Sequence, residues 1–165
     1  MRRRAFLITA MFVLAGCASA PRPTTPVPNI YVMRHLNTPN DATDPDLTPE
    51  GMATAAALAE WLSTDPPTAI FVTDTKRARQ TAAPTAKRFG VTPTVYNPSD
   101  KSALIRSVLA QQSTVLIVGH SNTVPDIIAG LGGERPAPLV HEDFGDIWRV
   151  QGTARTTIRA KLPQR

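Results

Sequence analysis

Apolar residues along this chain form two kinds of pattern, short continuous runs and stretches with helical spacing. Continuous apolar runs are typical of strands that are buried on both faces. They occupy residues 29–33, 69–72 and 115–118, and a run with period-two character covers 91–96. Apolar residues that recur every three or four positions predict amphipathic helices. These stretches are 49–63, 76–89, 104–109 and 124–131.

Capping residues support two of these helices. Thr48 is suited to cap the first, with Pro49 at its first helical position. Gly90 is suited to end the second, which Pro84 is expected to bend. The short runs 147–150 and 156–158 are expected to be closing strands.

The alternation of buried strands with helices predicts an α/β fold. Such sequences form a three-layer sandwich, with a mostly parallel central sheet and helices on both faces. The length of 165 residues suits one domain, which we expect to span residues 29–165.

The N-terminal segment is typical of an export signal. Basic residues at 2–4 precede an apolar run at 5–15, which is too short to span a bilayer. The run ends in Leu14-Ala15-Gly16-Cys17, which resembles a bacterial lipobox. This predicts a lipoprotein signal peptide at 1–16 and a lipid on Cys17; an ordinary secretory signal cut near residues 18–20 is the alternative.

The segment after Cys17 is predicted to be a linker. Residues 17–28 contain four prolines, which favour extended backbone and a semi-rigid spacer. Resemblance to lipoproteins with Ala18 after the cysteine implies the periplasmic face of the outer membrane. Arg3-Arg4 also resembles a twin-arginine export motif, and a plain basic signal remains equally open.

Composition excludes several other classes of protein. Without the arginines at positions 2–4 the formal charge falls from +5 to +2, which is too small for the basic surface that binds nucleic acid. The single cysteine excludes an internal disulfide and a cysteine-rich zinc site.

Basic residues follow three predicted strands, and the carboxyl ends of parallel strands are where ligands bind. Arg34 and His35 follow the first, Arg77 and Arg79 open the helix after the second, and His120 follows the strand 115–118. Arginine cannot bind a metal ion, but its planar fork matches phosphate oxygens. From the residues alone, this edge is a phosphate or carboxylate site, with histidine as a candidate nucleophile.

Four segments make a more specific case. They are Met33-Arg34-His35, Asp46-Leu47-Thr48-Pro49-Glu50-Gly51, Thr73-Asp74-Thr75-Lys76-Arg77-Ala78-Arg79-Gln80-Thr81-Ala82 and Val118-Gly119-His120-Ser121-Asn122-Thr123. In order and spacing they resemble the motifs of the histidine phosphatase superfamily, the phosphoglycerate mutase-like proteins.

The resemblance implies a role for each matched residue. His35 would be the nucleophile that becomes phosphorylated, and Arg34, Arg77 and His120 would hold the phosphoryl oxygens. Thr38 would add a hydroxyl donor, and Asn122 a supporting contact. Arg79 is two positions along the helix and should point elsewhere.

The sequence departs from the family pattern in two places. Leu36 stands where the signature has glycine, and a bulky side chain there is expected to narrow the pocket or shift the backbone. The proton donor of larger relatives has no clear counterpart. Asp100 is the nearest carboxylate, and its alternative role is that of a solvated residue at the start of a helix. Other loop carboxylates are Asp44, Asp46, Glu142 and Asp143, and the third histidine, His141, is expected to be structural or exposed.

These inferences predict a phosphatase that hydrolyses phosphate monoesters without a metal or other cofactor. The domain is too short for the insertions that cover the site in mutases, so water is the expected acceptor. One alternative is a phosphohistidine phosphatase that acts on proteins. Another is a catalytically weak, anion-binding lipoprotein, which Leu36 would favour. The expected partners are a small phosphorylated substrate and, through Cys17, a membrane.

Overall fold

The computed structural model describes residues 27–39, 43–140 and 143–163. The predicted signal peptide, Cys17 and most of the linker lie outside these residues. The strands are β1 (Ile30–Arg34), β2 (Ala69–Val72), β3 (Thr94–Val95), β4 (Val115–Gly119), β5 (Asp146–Gln151) and β6 (Thr156–Lys161). The helices are α1 (Pro49–Trp61), α2 (Lys76–Phe89), α3 (Lys101–Leu109) and α4 (Val124–Gly130), and a 3-10 turn, Leu62–Thr64, follows α1.

All six strands form one sheet in the order β3-β2-β4-β1-β5-β6. The pairs β3-β2, β2-β4 and β4-β1 are parallel. The last two strands form an antiparallel hairpin that joins β1 through β5. The sheet is therefore mostly parallel, and β1, β2 and β4 all end at the same edge.

Side chains from alternate positions of the strands fill two cores. Tyr31 and Met33 of β1 pack on one face with residues of α1 and α2. Ile30 and Val32 pack on the other face with residues of α3 and α4. The predicted three-layer sandwich with helices on both faces is confirmed.

Side-chain caps mark the start of α1 and α2, the helices that follow β1 and precede β3. Thr48 Oγ1 accepts the Gly51 N–H (3.1 Å), and Thr75 Oγ1 accepts the Ala78 N–H (3.3 Å). Gly90 ends α2 with φ of 66°, a left-handed conformation that glycine adopts without strain. The helix α2 is continuous through Pro84.

The predicted strand over 91–96 is mostly wrong. Only Thr94–Val95 pairs, as an edge strand beside β2. The N–H of Val91 turns back to the Ala86 carbonyl at the end of α2, and Pro93 has no N–H to donate. The closing strands, in contrast, extend beyond 147–150 and 156–158, because each pairs with the other along its whole length.

In the described part of the chain, no helix is long and apolar enough to cross a membrane.

Candidate active site

His35 directly follows β1 and is only 5% exposed. Its backbone N–H donates to the carbonyl of Gly119 at the end of β4 (2.9 Å). Its Nδ1 lies 2.9 Å from the carbonyl oxygen of Leu36. A carbonyl can only accept, so Nδ1 carries the hydrogen, and in the neutral ring Nε2 presents a lone pair. This is the tautomer that a nucleophilic histidine requires.

His120 directly follows β4 and lies beside His35. The two ring centroids are 5.3 Å apart, with an interplanar angle of 62°. Nε2 of His120 lies 2.8 Å from the hydroxyl of Thr73, the residue after β2. The backbone N–H of His120 donates to Thr123 Oγ1 (3.0 Å). The ends of β1, β2 and β4 thus meet at this pair of rings.

Gly119 allows this approach. A Cβ at this position would lie 3.0 Å from both Thr123 Oγ1 and the Tyr96 hydroxyl. Any larger residue would have to displace one of these two groups. Glycine at position 119 therefore allows close packing beneath the site.

Arg34, the last residue of β1, lies over the ring of Phe144 with Cζ 4.0 Å from the centroid. NH1 donates to the carbonyl of Val140 (3.0 Å). Nε is buried and has no acceptor among the described residues. A buried donor without a partner costs about 1–3 kcal/mol, so this N–H favours an anion beside it.

Arg77 opens α2 at the same edge. Its NH1 donates to Asp44 Oδ1 (3.2 Å), and the carboxylate of Asp44 also accepts the Lys76 N–H (3.1 and 3.2 Å). A guanidinium and a helix N-terminal N–H are the two kinds of donor that bind phosphate. The start of α2 therefore already binds a carboxylate of this chain in the way it would bind an anionic ligand.

Burial and positive charge together keep both histidines neutral. Burial lowers the pKa of His35 to about 3, the hydrogen bond to the Leu36 carbonyl opposes this shift, and the positive charges of Arg34 and Arg77 add to it. Burial also lowers the pKa of His120 to about 4, with the charges of Arg77 and Arg34 adding to the effect. Each arginine acts on both rings, so all four groups share one region.

Arg79 is directed away from these groups. Its Nε and NH2 both donate to Asp74 Oδ1 (3.1 and 2.6 Å), and half of its side chain is exposed.

The other predicted site residues have weaker connections. Thr38 is half-buried and Asn122 is exposed. Within the described ranges, neither side chain is hydrogen-bonded to the two histidines, Arg34 or Arg77. Asp100 is exposed and caps α3, where its Oδ1 accepts the Ala103 N–H (2.9 Å).

The remaining loop carboxylates also have structural partners. Asp46 accepts from Gln80 (2.7 Å), and Asp143 accepts the Val140 N–H (2.6 Å). Among the described carboxylates, only Asp44 forms a salt bridge with one of the two site arginines. His141 and Glu142 lie outside the described residues.

The expected narrowing of the pocket by the Leu36 side chain is not what the structure shows. Its side chain is 0% exposed and packs in the core on the α1 and α2 face, with Leu47 and Leu58 among its cluster. Its backbone N–H donates to Thr81 Oγ1 (3.0 Å). Leucine here is therefore a core residue and does not line the pocket.

Sequence reasoning gave no role to several residues that hold the site together. Thr81 Oγ1 accepts from Leu36 and donates to the Arg77 carbonyl (2.8 Å), so it joins the loop after β1 to α2. Gln80 accepts the Leu47 N–H (2.8 Å). Both belong to the segment 73–82, whose resemblance to a family motif was the available signal. Thr73 begins the same segment, but its role at His120 depends on a contact distant in sequence, and Phe144 gave no signal for the same reason.

Gly51 ends the quoted segment 46–51, and the structure shows why this position is a glycine. A Cβ there would lie 2.6 Å from the backbone oxygen of Asn37, whose carbonyl also accepts the Thr48 N–H. Glycine allows the loop that follows His35 to pack directly on the start of α1.

The arrangement is suited to binding a phosphoryl group beside a neutral imidazole. In the described part of the chain, no group of three or more His, Cys, Asp or Glu side chains is placed to hold a metal ion. Two guanidinium groups, a helix start and two imidazoles instead lie at one edge of the sheet, close enough for both arginines to lower the pKa of both histidines.

Comparison with known families gives a match in the first half of the fold. Residues 30–98 match the sequence model of the histidine phosphatase superfamily, branch 1. This range includes Arg34, His35 and Arg77. Among curated proteins, none matches the sequence.

Solved structures match over most of the chain. The protein histidine phosphatase SixA in complex with tungstate is 19% identical, with a TM-score of 0.60, and the match covers 82% of this chain and 96% of that one. The mycobacterial glucosyl-3-phosphoglycerate phosphatase with inorganic phosphate is 16% identical, with a TM-score of 0.61 and coverages of 83% and 96%. Bacillus stearothermophilus YhfR is 14% identical, with a TM-score of 0.64 and coverages of 81% and 95%. At these identities the structures establish the fold.

Proposed function

We propose that this chain is a member of the histidine phosphatase superfamily and hydrolyses phosphate monoesters through a phosphohistidine intermediate on His35. The observation that carries the proposal is the bond between Nδ1 of His35 and the Leu36 carbonyl, since it leaves the Nε2 lone pair for attack. The buried Nε of Arg34 and the start of α2 at Arg77 supply donors for the phosphoryl oxygens.

In the first step, Nε2 of His35 forms a bond to phosphorus as the bond to the leaving oxygen breaks on the opposite side. Arg34, Arg77 and His120 stabilise the charge on the three remaining oxygens. In the second step, water attacks the phosphorus, the P–N bond breaks and the pair of electrons returns to Nε2. The water loses its protons to solvent or phosphate, and inorganic phosphate leaves. Neither step requires a metal ion.

The leaving oxygen needs a proton unless it is stable as an anion. Among the described residues, no carboxylate is hydrogen-bonded to either histidine. Good leaving groups, such as phenolates, should therefore be released faster than alkoxides.

The test is to follow turnover and phosphate labelling in the same preparations. His35→Ala should abolish turnover of p-nitrophenyl phosphate and accumulation of acid-labile phosphate on the protein. His120→Ala keeps the nucleophile and should still take up label, more slowly. Label on the His35→Ala protein, or turnover at the wild-type rate, contradicts the proposal.

A second candidate is hydrolysis of phosphohistidine on a protein. It is favoured because no carboxylate in the described ranges is bonded to either histidine, and imidazole is a better leaving group than an alkoxide. Comparing kcat/KM for a phosphohistidine peptide and for alkyl phosphates distinguishes the two. The third candidate, an anion-binding protein with weak catalysis, loses its main support because Leu36 lies in the core.

We further propose that the protein is exported and lipid-anchored through Cys17 at the periplasmic face of the outer membrane. The support is the sequence of residues 1–28 alone: a short apolar run, a lipobox-like end and a single cysteine. Cys17→Ser should move the protein from the membrane fraction to the soluble fraction. Retention of the processed variant in membranes contradicts the anchor without affecting the proposed chemistry.

A further inference from the structure

Phe144 contacts two of the residues to which the proposed function assigns chemistry. It lies two positions before β5 and is only 5% exposed. Its ring centroid is 4.0 Å from Cζ of Arg34 and 5.9 Å from the ring centroid of His35, at 53° to that ring. One aromatic side chain therefore borders both the proposed nucleophile and one of its phosphate ligands.

We propose that Phe144 is a positioning residue, which fixes the plane of the Arg34 guanidinium and shields the His35 ring from water. The inference rests on the proposed function. It adds a residue that the family match does not reach, since that match ends at residue 98.

The contact with Arg34 limits how the guanidinium can turn. A guanidinium is attracted to the face of an aromatic ring, with about 0.5–2 kcal/mol depending on exposure. NH1 is also bound to the Val140 carbonyl (3.0 Å). With one face on the ring and one edge on that carbonyl, the buried Nε–H remains for a phosphoryl oxygen. An arginine side chain that is not held in this way loses rotamer freedom when it binds a ligand.

The contact with His35 acts through burial. A neighbouring apolar ring excludes water that would stabilise the imidazolium form. Burial is also the largest cause of the low pKa of His35. Phe144 therefore helps to keep the nucleophile neutral while it strengthens the arginine-phosphate interaction in a dry site.

The experiment distinguishes an effect of the aromatic ring of Phe144 from an effect of the size of its side chain. Phe144→Leu keeps an apolar side chain but removes the ring, and Phe144→Tyr keeps the ring. We expect Phe144→Leu to lower kcat/KM and to weaken inorganic phosphate binding by roughly twofold to thirtyfold, the equivalent of the cation–π range. Phe144→Tyr should remain close to wild type. Phe144→Ala should also raise the pKa of His35, followed by NMR, from about 3 toward its ordinary value.

The matched control is Phe89→Leu. Phe89 also lies near a guanidinium, with Arg88 Cζ 5.9 Å from its ring centroid, but at the opposite end of α2 from Arg77. The Phe89→Leu variant should leave phosphate binding unchanged. Wild-type phosphate binding in Phe144→Leu, or an equal loss in Phe144→Tyr or Phe89→Leu, overturns the inference. A wild-type protein with no turnover overturns the proposed function instead, and phosphate binding still tests Phe144.

Discussion

Nδ1 of His35 lies 2.9 Å from the carbonyl oxygen of Leu36, so the backbone of one residue fixes the tautomer of the residue before it. In a catalytic triad, a carboxylate orients the histidine and stabilises its protonated form. Here the acceptor is a neutral carbonyl, and although its hydrogen bond raises the pKa of His35, burial and the nearby positive charges outweigh it and disfavour protonation. The site is therefore built for a histidine that acts as a nucleophile in its neutral form.

The low pKa values of the two histidines predict an acid-sensitive fold. Both values lie below the ordinary 6.5, at about 3 for His35 and about 4 for His120. Between these values and pH 6.5 the unfolded chain binds more protons than the folded one, so stability falls as pH falls. We expect the free energy of unfolding to drop by about 2 kcal/mol or more between pH 7 and pH 4.5, measured by urea denaturation.

The double variant His35→Asn, His120→Asn is the control for this prediction. It removes both titrating rings, so its stability should change less over the same range. If its stability falls as steeply as that of the wild type, the histidines are not the cause.

Leu36 is predicted to matter for stability and not for chemistry. Its side chain is fully buried in the core beside α1 and α2, while its backbone, and not its side chain, contacts His35 and Thr81. Leu36→Ala should cost about 2–5 kcal/mol of unfolding free energy, as is usual for buried leucine. At a temperature where the variant is folded, its kcat/KM should remain within a few-fold of wild type. A large loss of activity without a loss of stability would show that the side chain shapes the pocket after all.

Much of the fold was predictable because its strands are buried on both faces. The runs 69–72 and 115–118 are continuous and apolar, and the structure places strands at nearly the same bounds. The strand predicted at 91–96 was mostly wrong because apolar alternation there reflects packing after α2: Val91 packs against the core without joining the sheet. Periodicity reports which side chains are buried, and it does not report which backbone groups pair.

The site was predictable where its residues sit directly at strand ends. The position of His35 after β1 and of His120 after β4 follows from the chain order, and their proximity follows from the parallel pairing of those strands. The Nδ1 contact of His35, the hydroxyl of Thr73 at His120 and the ring of Phe144 at Arg34 depend on tertiary geometry. No spacing in the sequence encodes them.

Activity is predicted to survive chelation. The described residues offer no cluster of metal ligands, and the two site arginines would repel a cation. Turnover of p-nitrophenyl phosphate should be unchanged after dialysis against EDTA. A loss that a divalent ion restores would refute a site based on arginine and histidine.

Asp100 is predicted to stabilise α3 and to have no part in proton transfer. Its carboxylate is exposed and accepts the Ala103 N–H. Asp100→Ala should lower stability by about 0.5–2 kcal/mol, and Asp100→Asn should not, because asparagine caps equally well. Both should keep the wild-type ratio of kcat/KM between phenyl and alkyl phosphates. If Asp100→Asn loses activity on alkyl phosphates alone, Asp100 is the proton donor.

The two arginines at the start of α2 are predicted to differ sharply in importance. Arg77 is mostly buried, lowers the pKa of both histidines and binds a carboxylate at the helix start. Arg79 is half-exposed and is held by Asp74. Loss of a bidentate arginine from a transition state costs several kcal/mol, so Arg77→Ala should lower kcat/KM by roughly a hundredfold or more. Arg79→Ala should change it by less than about threefold, as expected for a surface substitution.

Arg77→Lys completes the comparison. Lysine keeps the positive charge but lacks the planar fork, so this variant should remain poor if two oxygens of the phosphoryl group are bound together. Recovery to near wild-type kcat/KM would mean that Arg77 acts only through its charge. Equal defects at positions 77 and 79, with folding intact by circular dichroism, would mean that the phosphate does not bind at the start of α2 in the way that Asp44 does.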